Sequence, residues 1–368
     1  MFLFPSVRLV FIIWLKLSKY ATIDELMRRT LAVIFFTVFI DLLGVGMIVP
    51  VLPQLFGNPA SPMYILAHGS SVKLGLVLHG LLFSLYALAQ FLASPLLGQL
   101  SDKIGRRYVL VGAMFVTAIA HAGFAYAITS LSIVLLFATR FIAGLASGNI
   151  PVAQAVITDS TSEEKRSSAM GIIGAAFGLG LILGPYIGGK LISVGPSVPF
   201  WMAAVLAFLN GIFILLALKE THTSGKNDTM LSLGIKTAFV EVKRAFTHAT
   251  LRSVYISYFL MQFGFALYMS FATIYFVRRF HFSEEQLGTY FAFAGFCAVI
   301  VQVIVVRIIA KIHSEQSVLV PGLLLNAVGI LGIALAPNLF LLFVATFVLA
   351  TGYGLVHANT PALLSISV

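Results

Sequence analysis

The chain of 368 residues is 60% hydrophobic and only 10% charged, with a formal net charge of +10. Soluble globular proteins carry roughly 25% charged residues, so these few charges cannot cover a water-exposed surface of this size. The composition excludes a soluble fold and predicts a membrane protein. Because the apolar runs are continuous and do not alternate, they predict spanning helices and exclude a membrane barrel.

The positive charge and the single cysteine exclude several classes of function. The excess of Lys and Arg is typical of cytoplasmic loops in membrane proteins and does not indicate a nucleic-acid partner. Cys297 lies alone in an apolar run, which excludes a disulfide within the chain and a Cys-x-x-Cys metal site. No nucleophile–base constellation, metal cluster or phosphate loop supports an enzyme, and no cofactor is predicted.

Ten apolar runs are long enough to cross a hydrocarbon layer of about 30 Å as helices. They lie at 31–56, 74–97, 108–127, 131–156, 168–189, 198–218, 252–277, 286–309, 317–336 and 338–360. We therefore predict an all-α polytopic membrane protein with a six-helix N-terminal bundle at 31–218, a cytoplasmic linker at 219–251 and a partial C-terminal bundle of four helices at 252–368.

Residues 1–30 form an N-terminal extension. Its first 26 residues are apolar but interrupted by Pro5, Arg8 and Lys16, and they are too short for a comfortable span. A signal-like or interfacial segment and a natural start at Met27 both remain open, with the start at Met27 favoured.

The distribution of Lys and Arg predicts the orientation. One set of connections and the linker contain Arg28, Arg29, Lys103, Arg106, Arg107, Lys165, Arg166, Lys219, Lys226, Lys236, Lys243, Arg244, Arg252, Arg307 and Lys311. The opposite connections contain Lys73, Lys190, Arg278 and Arg279. The first set is predicted to be cytoplasmic, and the N-terminus with it.

The connection between the second and third spans contains Gly98, Asp102, Gly105, Arg106 and Arg107. The glycines permit a tight turn, and Ser101 or Asp102 can cap the third span. Arg106 and Arg107 can pair with Asp102 or face lipid headgroups. By charge alone, an ordinary cytoplasmic turn explains the stretch equally well.

Two charges are predicted deep in the membrane. Asp41 lies about 10 residues into the first span, and Arg140 lies about 9 residues from the outer end of the fourth, so both are roughly 14–15 Å deep. Charged groups at that depth are costly and indicate function. They predict a pair or a shared polar cavity that loads and releases a proton; a purely structural pair is the alternative.

The fifth span contains a glycine pattern, Gly171, Gly180, Gly184, Pro185, Gly188 and Gly189, to which Gly174 and Gly178 add. Small residues at these spacings allow close helix packing, and the proline permits a bend. Tight packing without a further role is the alternative interpretation.

These motifs resemble those of the major facilitator superfamily, in particular its twelve-helix drug:proton antiporters of the tetracycline-exporter type. The stretch from Gly98 to Arg107 resembles the family's signature loop. The resemblance implies that this loop is a conformational latch, with Asp102 and Arg106 as its key members. The family's loop docks against an eleventh helix, which the ten predicted spans do not include.

The remaining motifs resemble the same family. The segment from Asp41 to Pro53 and the residues Arg140, Phe141 and Gly144 are similar to the motifs of its first and fourth helices. The resemblance implies that Arg140 takes part in proton transfer. The pattern of the fifth span resembles the antiporter motif, and the likeness covers residues 27–368.

One departure concerns the third span. Similar tetracycline exporters carry an acidic residue there, whereas this chain has His121 and no carboxylate between Ala118 and Ala122. His121 either titrates in place of that residue or packs as a hydrogen-bonded histidine, which is favoured. Asn149, Gln154 and Gln262 are further candidates for a substrate cavity.

The sequence therefore predicts a monomer of a bacterial-type inner membrane that exports small lipophilic molecules against protons by alternating access, driven by the proton gradient. The alternatives are export of an endogenous metabolite and a truncated remnant that does not transport. Small molecules, protons and the lipid bilayer are the expected partners.

Overall fold

The computed structural model describes residues 25–366 except 60, 62, 68–69, 162, 222–251, 311 and 313. Most of the predicted extension and most of the predicted linker lie outside these described residues. In the described part, helices occupy the positions of all ten predicted spans.

The described residues of the first half form six helices. Helix α1 covers Glu25–Ile48 and is followed by a π turn at Pro53–Gly57; α2 covers Val72–Ile104 and α3 covers Arg106–Thr129. Helix α4 runs through Ile133–Ala146, a 3₁₀ turn at Ser147–Asn149 and Ile150–Ser160. Helices α5 and α6 cover Glu163–Leu191 and Val198–Ala217.

The second half contains four helices in its described part. Helix α7 covers Arg252–Phe280, and α8 runs through Glu284–Ile300, a π turn at Val301–Val305 and Val306–Ala310. Helices α9 and α10 cover Glu315–Leu335 and Leu339–Ile366. Nine helices of the described residues are long and apolar enough to cross a membrane; the segment at 286–309 is helical but is divided by its π turn.

Local sequence signals start several of these helices. Ser71 caps α2 by accepting a hydrogen bond from the backbone N–H of Leu74. Ser283 and Gln286 form a capping box at the start of α8, in which each side chain bonds the other residue's backbone N–H. Such caps satisfy N–H groups that have no partner within the helix.

The packing of the first half pairs α1 with α5, α3 with α6, and α2 with α4. One apolar core cluster joins α1, α3, α4, α5 and α6 through residues such as Ile34, Met114 and Val156, which are all fully buried. This core fixes the helices that carry the buried charges.

The two halves meet where α5 packs against α8 and where α2 approaches α7. Polar contacts between the described residues of the two halves include the pair Lys190–Glu285 and the ring of His79, whose Nε2 lies 2.5 Å from the carbonyl oxygen of Ser270. By the direction of the helices, both contacts lie at the end of the bundle where α5 ends, here called the Lys190 end. The turn between α2 and α3 lies at the opposite end, called the Arg106 end.

Candidate functional site

Asp41 is a buried carboxyl on α1, with 5% of its surface exposed. Its Oδ2 accepts a hydrogen bond of 2.8 Å from the side-chain amide of Asn149, and its Oδ1 is buried without a partner. A buried oxygen without a partner is costly, and the cost is larger when the group is charged. An ionised Asp41 would therefore have one oxygen without a hydrogen-bond donor among the described residues.

The 3₁₀ turn in α4 brings Asn149 to Asp41. Pro151 has no backbone N–H, so it cannot bond the carbonyl of Ser147 four residues earlier. Gln90 on α2 replaces that donor, with its Nε2 3.0 Å from the carbonyl oxygen of Ser147. The irregular turn is thus stabilised from the neighbouring helix.

Arg140 is buried on α4, whereas Asp41 is on α1. The two side chains form no ion pair in the described part of the chain. Its guanidinium carbon lies 4.2 Å from the centroid of the Tyr86 ring. The Nε and Nη2 atoms of Arg140 are buried without a hydrogen-bond partner. The predicted pair is therefore absent in this conformation, and the two charges instead share a polar cluster.

His121 belongs to the same region. A Cβ atom at Gly44 would lie 2.5 Å from Nε2 of His121, so the glycine one turn after Asp41 makes room for the ring. Arg140 also acts on His121 electrostatically. We define the polar cluster as Asp41, Tyr86, His121, Arg140 and Asn149.

Two predicted cavity residues lie elsewhere. Gln154 is exposed on α4. Gln262 is on α7, where its side chain is hydrogen-bonded to Tyr353 of α10. Tyr86 is a functional candidate that no sequence pattern marks, because tyrosines are common in apolar spans.

The predicted latch forms a compact network at the Arg106 end. Arg106 contacts Asp102 at 2.5 Å, Asp159 at 3.3 Å and the hydroxyl of Ser101 at 2.6 Å. These partners come from the ends of α2 and α4, so the contacts described here lie within the first half.

Two expectations about this turn are wrong. Gly98 lies inside α2, and only Gly105 has the left-handed backbone, with φ +102°. Neither Ser101 nor Asp102 caps α3. The carboxylate of Glu220 does so instead, since it accepts hydrogen bonds from the backbone N–H groups of Arg106 and Arg107.

The glycines of α5 divide into two groups. A Cβ at Gly180, Gly184 or Gly188 would come within 2.6–2.8 Å of atoms of α1. A Cβ at Gly171, Gly174 or Gly178 would meet nothing within 4 Å. Gly189 is buried, and Pro185 contacts Gly46 of α1 on one side and Gly288 of α8 on the other. Helix α5 is therefore packed between α1 of the first half and α8 of the second half.

Apolar spanning helices with buried, incompletely paired charges in the first half are typical of a membrane transport protein. The profile of the Major Facilitator Superfamily matches residues 34–368, and the chain belongs to that family. Members of the family are transporters and not enzymes.

The relatives specify the branch further. The chain is 31% identical to the class C tetracycline resistance protein of Escherichia coli over 326 residues, which cover 88% of this chain and 78% of that protein. It is 32% identical to the class G protein of Vibrio anguillarum, with 89% and 79% covered. The crystal structure of the human organic anion transporter MFSD10 (TETRAN) superposes with a TM-score of 0.70 at 25% identity, covering 92% of this chain and 86% of that one.

Proposed function

We propose that this chain exports small lipophilic molecules in exchange for protons, with Asp41 as the proton carrier. The observation that supports this most is the hydrogen bonding of Asp41. The carboxyl has one donor, Asn149, and its second oxygen is buried without a partner. A proton on that oxygen removes the uncompensated charge, whereas the approach of Arg140 would favour its release.

Alternating access requires that the halves separate at one end while they close at the other. The buried contact His79–Ser270 and the packing of α5 against α8 hold the Lys190 end together, and Lys190 pairs with Glu285 at its surface. If the N-terminus is cytoplasmic, as the placement of Lys and Arg predicts, this end faces outward. The conformation then corresponds to a transporter closed to the outside.

Two observations support candidate classes of substrate. Tetracycline resistance proteins align with most of this chain, which supports tetracycline as the first candidate. Arg140, with two buried N–H groups that have no partner, also supports an organic anion, the substrate class in the description of MFSD10. An endogenous metabolite with an acidic group could accept hydrogen bonds from the same N–H groups of Arg140.

Proteoliposomes with an imposed proton gradient test the proposal. Adding tetracycline or a fluorescent organic anion to the wild-type protein should cause proton movement opposite to substrate movement. Asp41→Asn should abolish this coupling, and Asp41→Glu should retain part of it, since only the second variant can carry a proton. Normal proton-driven transport by Asp41→Asn would contradict the assignment.

A further inference from the structure

The aromatic ring of Tyr86 is the nearest partner of the Arg140 guanidinium. The guanidinium carbon is 4.2 Å from the ring centroid, well inside the range of a cation–π contact. Two of the three guanidinium nitrogens have no hydrogen-bond partner. The ring therefore supplies the favourable interaction that a carboxylate would otherwise provide.

The geometry of this contact is fixed by the backbone. A Cβ at Gly144, one turn after Arg140, would lie 2.5 Å from the carbonyl oxygen of Tyr86 and 2.8 Å from Cβ of Ala89. Helices α2 and α4 thus approach closely beside the ring. This close approach of the two helices restricts the position of the ring.

Tyr86 lies in the same polar cluster as the two buried charges, and its ring contacts one of them, Arg140. The Asp41 carboxyl of α1 and the Arg140 guanidinium of α4 both interact electrostatically with the Tyr86 hydroxyl. Arg140 also interacts electrostatically with His121 of α3. These are the titratable and charged groups of the polar cluster. Asp41 meanwhile bonds Asn149 and not Arg140.

We propose that Tyr86 is a positioning residue that holds Arg140 away from Asp41 in this conformation, so that Asp41 keeps its proton until the helices rearrange. When α2 and α4 shift, the guanidinium leaves the ring and approaches Asp41, which then releases the proton. This inference rests on the proposed proton exchange. It adds a residue, Tyr86, that separates the binding of a proton by Asp41 from its release.

The test uses the full chain in proteoliposomes with one aromatic and two aliphatic replacements of Tyr86. Tyr86→Phe keeps the ring and removes the hydroxyl, whereas Tyr86→Leu removes the ring; Tyr86→Met is a second aliphatic variant in case the leucine variant does not fold. Tyr126→Leu removes an exposed tyrosine of α3 and is the matched control. Proton-driven transport and gradient-free substrate exchange are both measured.

Tyr86→Phe should transport within about twofold of wild type, while the aliphatic variants should lose at least about tenfold in proton-driven transport. Their gradient-free exchange should fall less than their proton-driven transport, because the step that is changed is the release of the proton. Equal loss in Tyr86→Phe and Tyr86→Leu, or full coupling in both aliphatic variants, would overturn the role of the ring. Wild-type transport without proton movement would instead contradict the proposed function itself.

Discussion

The carboxylate of Glu220 caps the helix that begins at Arg106, accepting a hydrogen bond of 2.9 Å from its backbone N–H. A second bond of 3.2 Å comes from the backbone N–H of Arg107. A negative group at this position satisfies free N–H groups and interacts favourably with the helix dipole. The first residues after α6 are therefore attached to the turn between α2 and α3.

This relationship predicts different roles for the two glycines of the turn. Gly105 has φ +102°, and a side chain there would collide with the carboxylate of Glu220. Gly105→Ala should therefore combine backbone strain with loss of the cap and destabilise the folded state by about 1–3 kcal/mol. Thermal unfolding in detergent measures the effect.

The matched control is Gly98→Ala, because a Cβ at Gly98 meets nothing within 4 Å and the residue is helical. It should be neutral or slightly stabilising, since alanine favours a helix over glycine. Equal destabilisation by both alanine variants would show that the turn is not organised around Gly105.

The glycine face of α5 predicts a second contrast. A Cβ at Gly184 would lie 2.8 Å from both Cα of Gly46 and the carbonyl oxygen of Leu43. Backbone atoms cannot move aside, so Gly184→Ala should separate α1 from α5 at a cost of about 1–3 kcal/mol. Gly178→Ala, on the open side of the same helix, should retain wild-type stability. The yield of monodisperse protein and its melting temperature distinguish the two.

The irregular turn of α4 predicts a coupling between two helices. Gln90→Leu should remove the side-chain donor to the carbonyl of Ser147 and cost about 0.5–1.5 kcal/mol. Pro151→Ala restores a backbone N–H that can bond the same carbonyl. The effect of Gln90→Leu should therefore be smaller in the Pro151→Ala background, and a double-mutant cycle measures the difference. Additive effects would contradict the assigned role of Gln90.

Much of the fold could be predicted because hydrocarbon thickness sets the length of each apolar run. The predicted ends of the helices are less accurate where charged residues that suggest a turn have helical backbone. The second span was predicted to end at residue 97, since Gly98 and the following charges suggested a turn. The helix continues to Ile104, because these residues tolerate helical geometry and only Gly105 requires a positive φ.

The candidate site could be predicted in part. Asp41 and Arg140 stood out because buried charges are costly and therefore rare. Their partners did not, since Tyr86 resembles the other aromatic residues of the spans and Glu220 lies 114 residues from Arg106. Contacts between distant helices depend on packing, which no local pattern encodes.

The last prediction concerns closure of the Lys190 end. His79 is fully buried, its Nε2 lies 2.5 Å from the carbonyl oxygen of Ser270, and its ring stacks on Phe271 of α7. Because this bond joins the two halves, it must break before they separate there. His79→Ala should therefore favour the open state by several-fold to about tenfold, the size expected for one buried hydrogen bond. His79→Gln, which keeps a donor, should restore part of the closure.

A buried reporter measures this opening. In a Cys297→Ser background, Ile274→Cys places a thiol beside Gly57 at the junction of the halves, and its rate of labelling by a membrane-impermeant maleimide rises when that end opens. Lys190→Gln is the control, since its ion pair with Glu285 is exposed and exposed pairs contribute little. We expect a clear increase in labelling for His79→Ala and a much smaller one for Lys190→Gln. Unchanged labelling in His79→Ala would show that the apolar contacts of α5 and α8 hold this end closed without it.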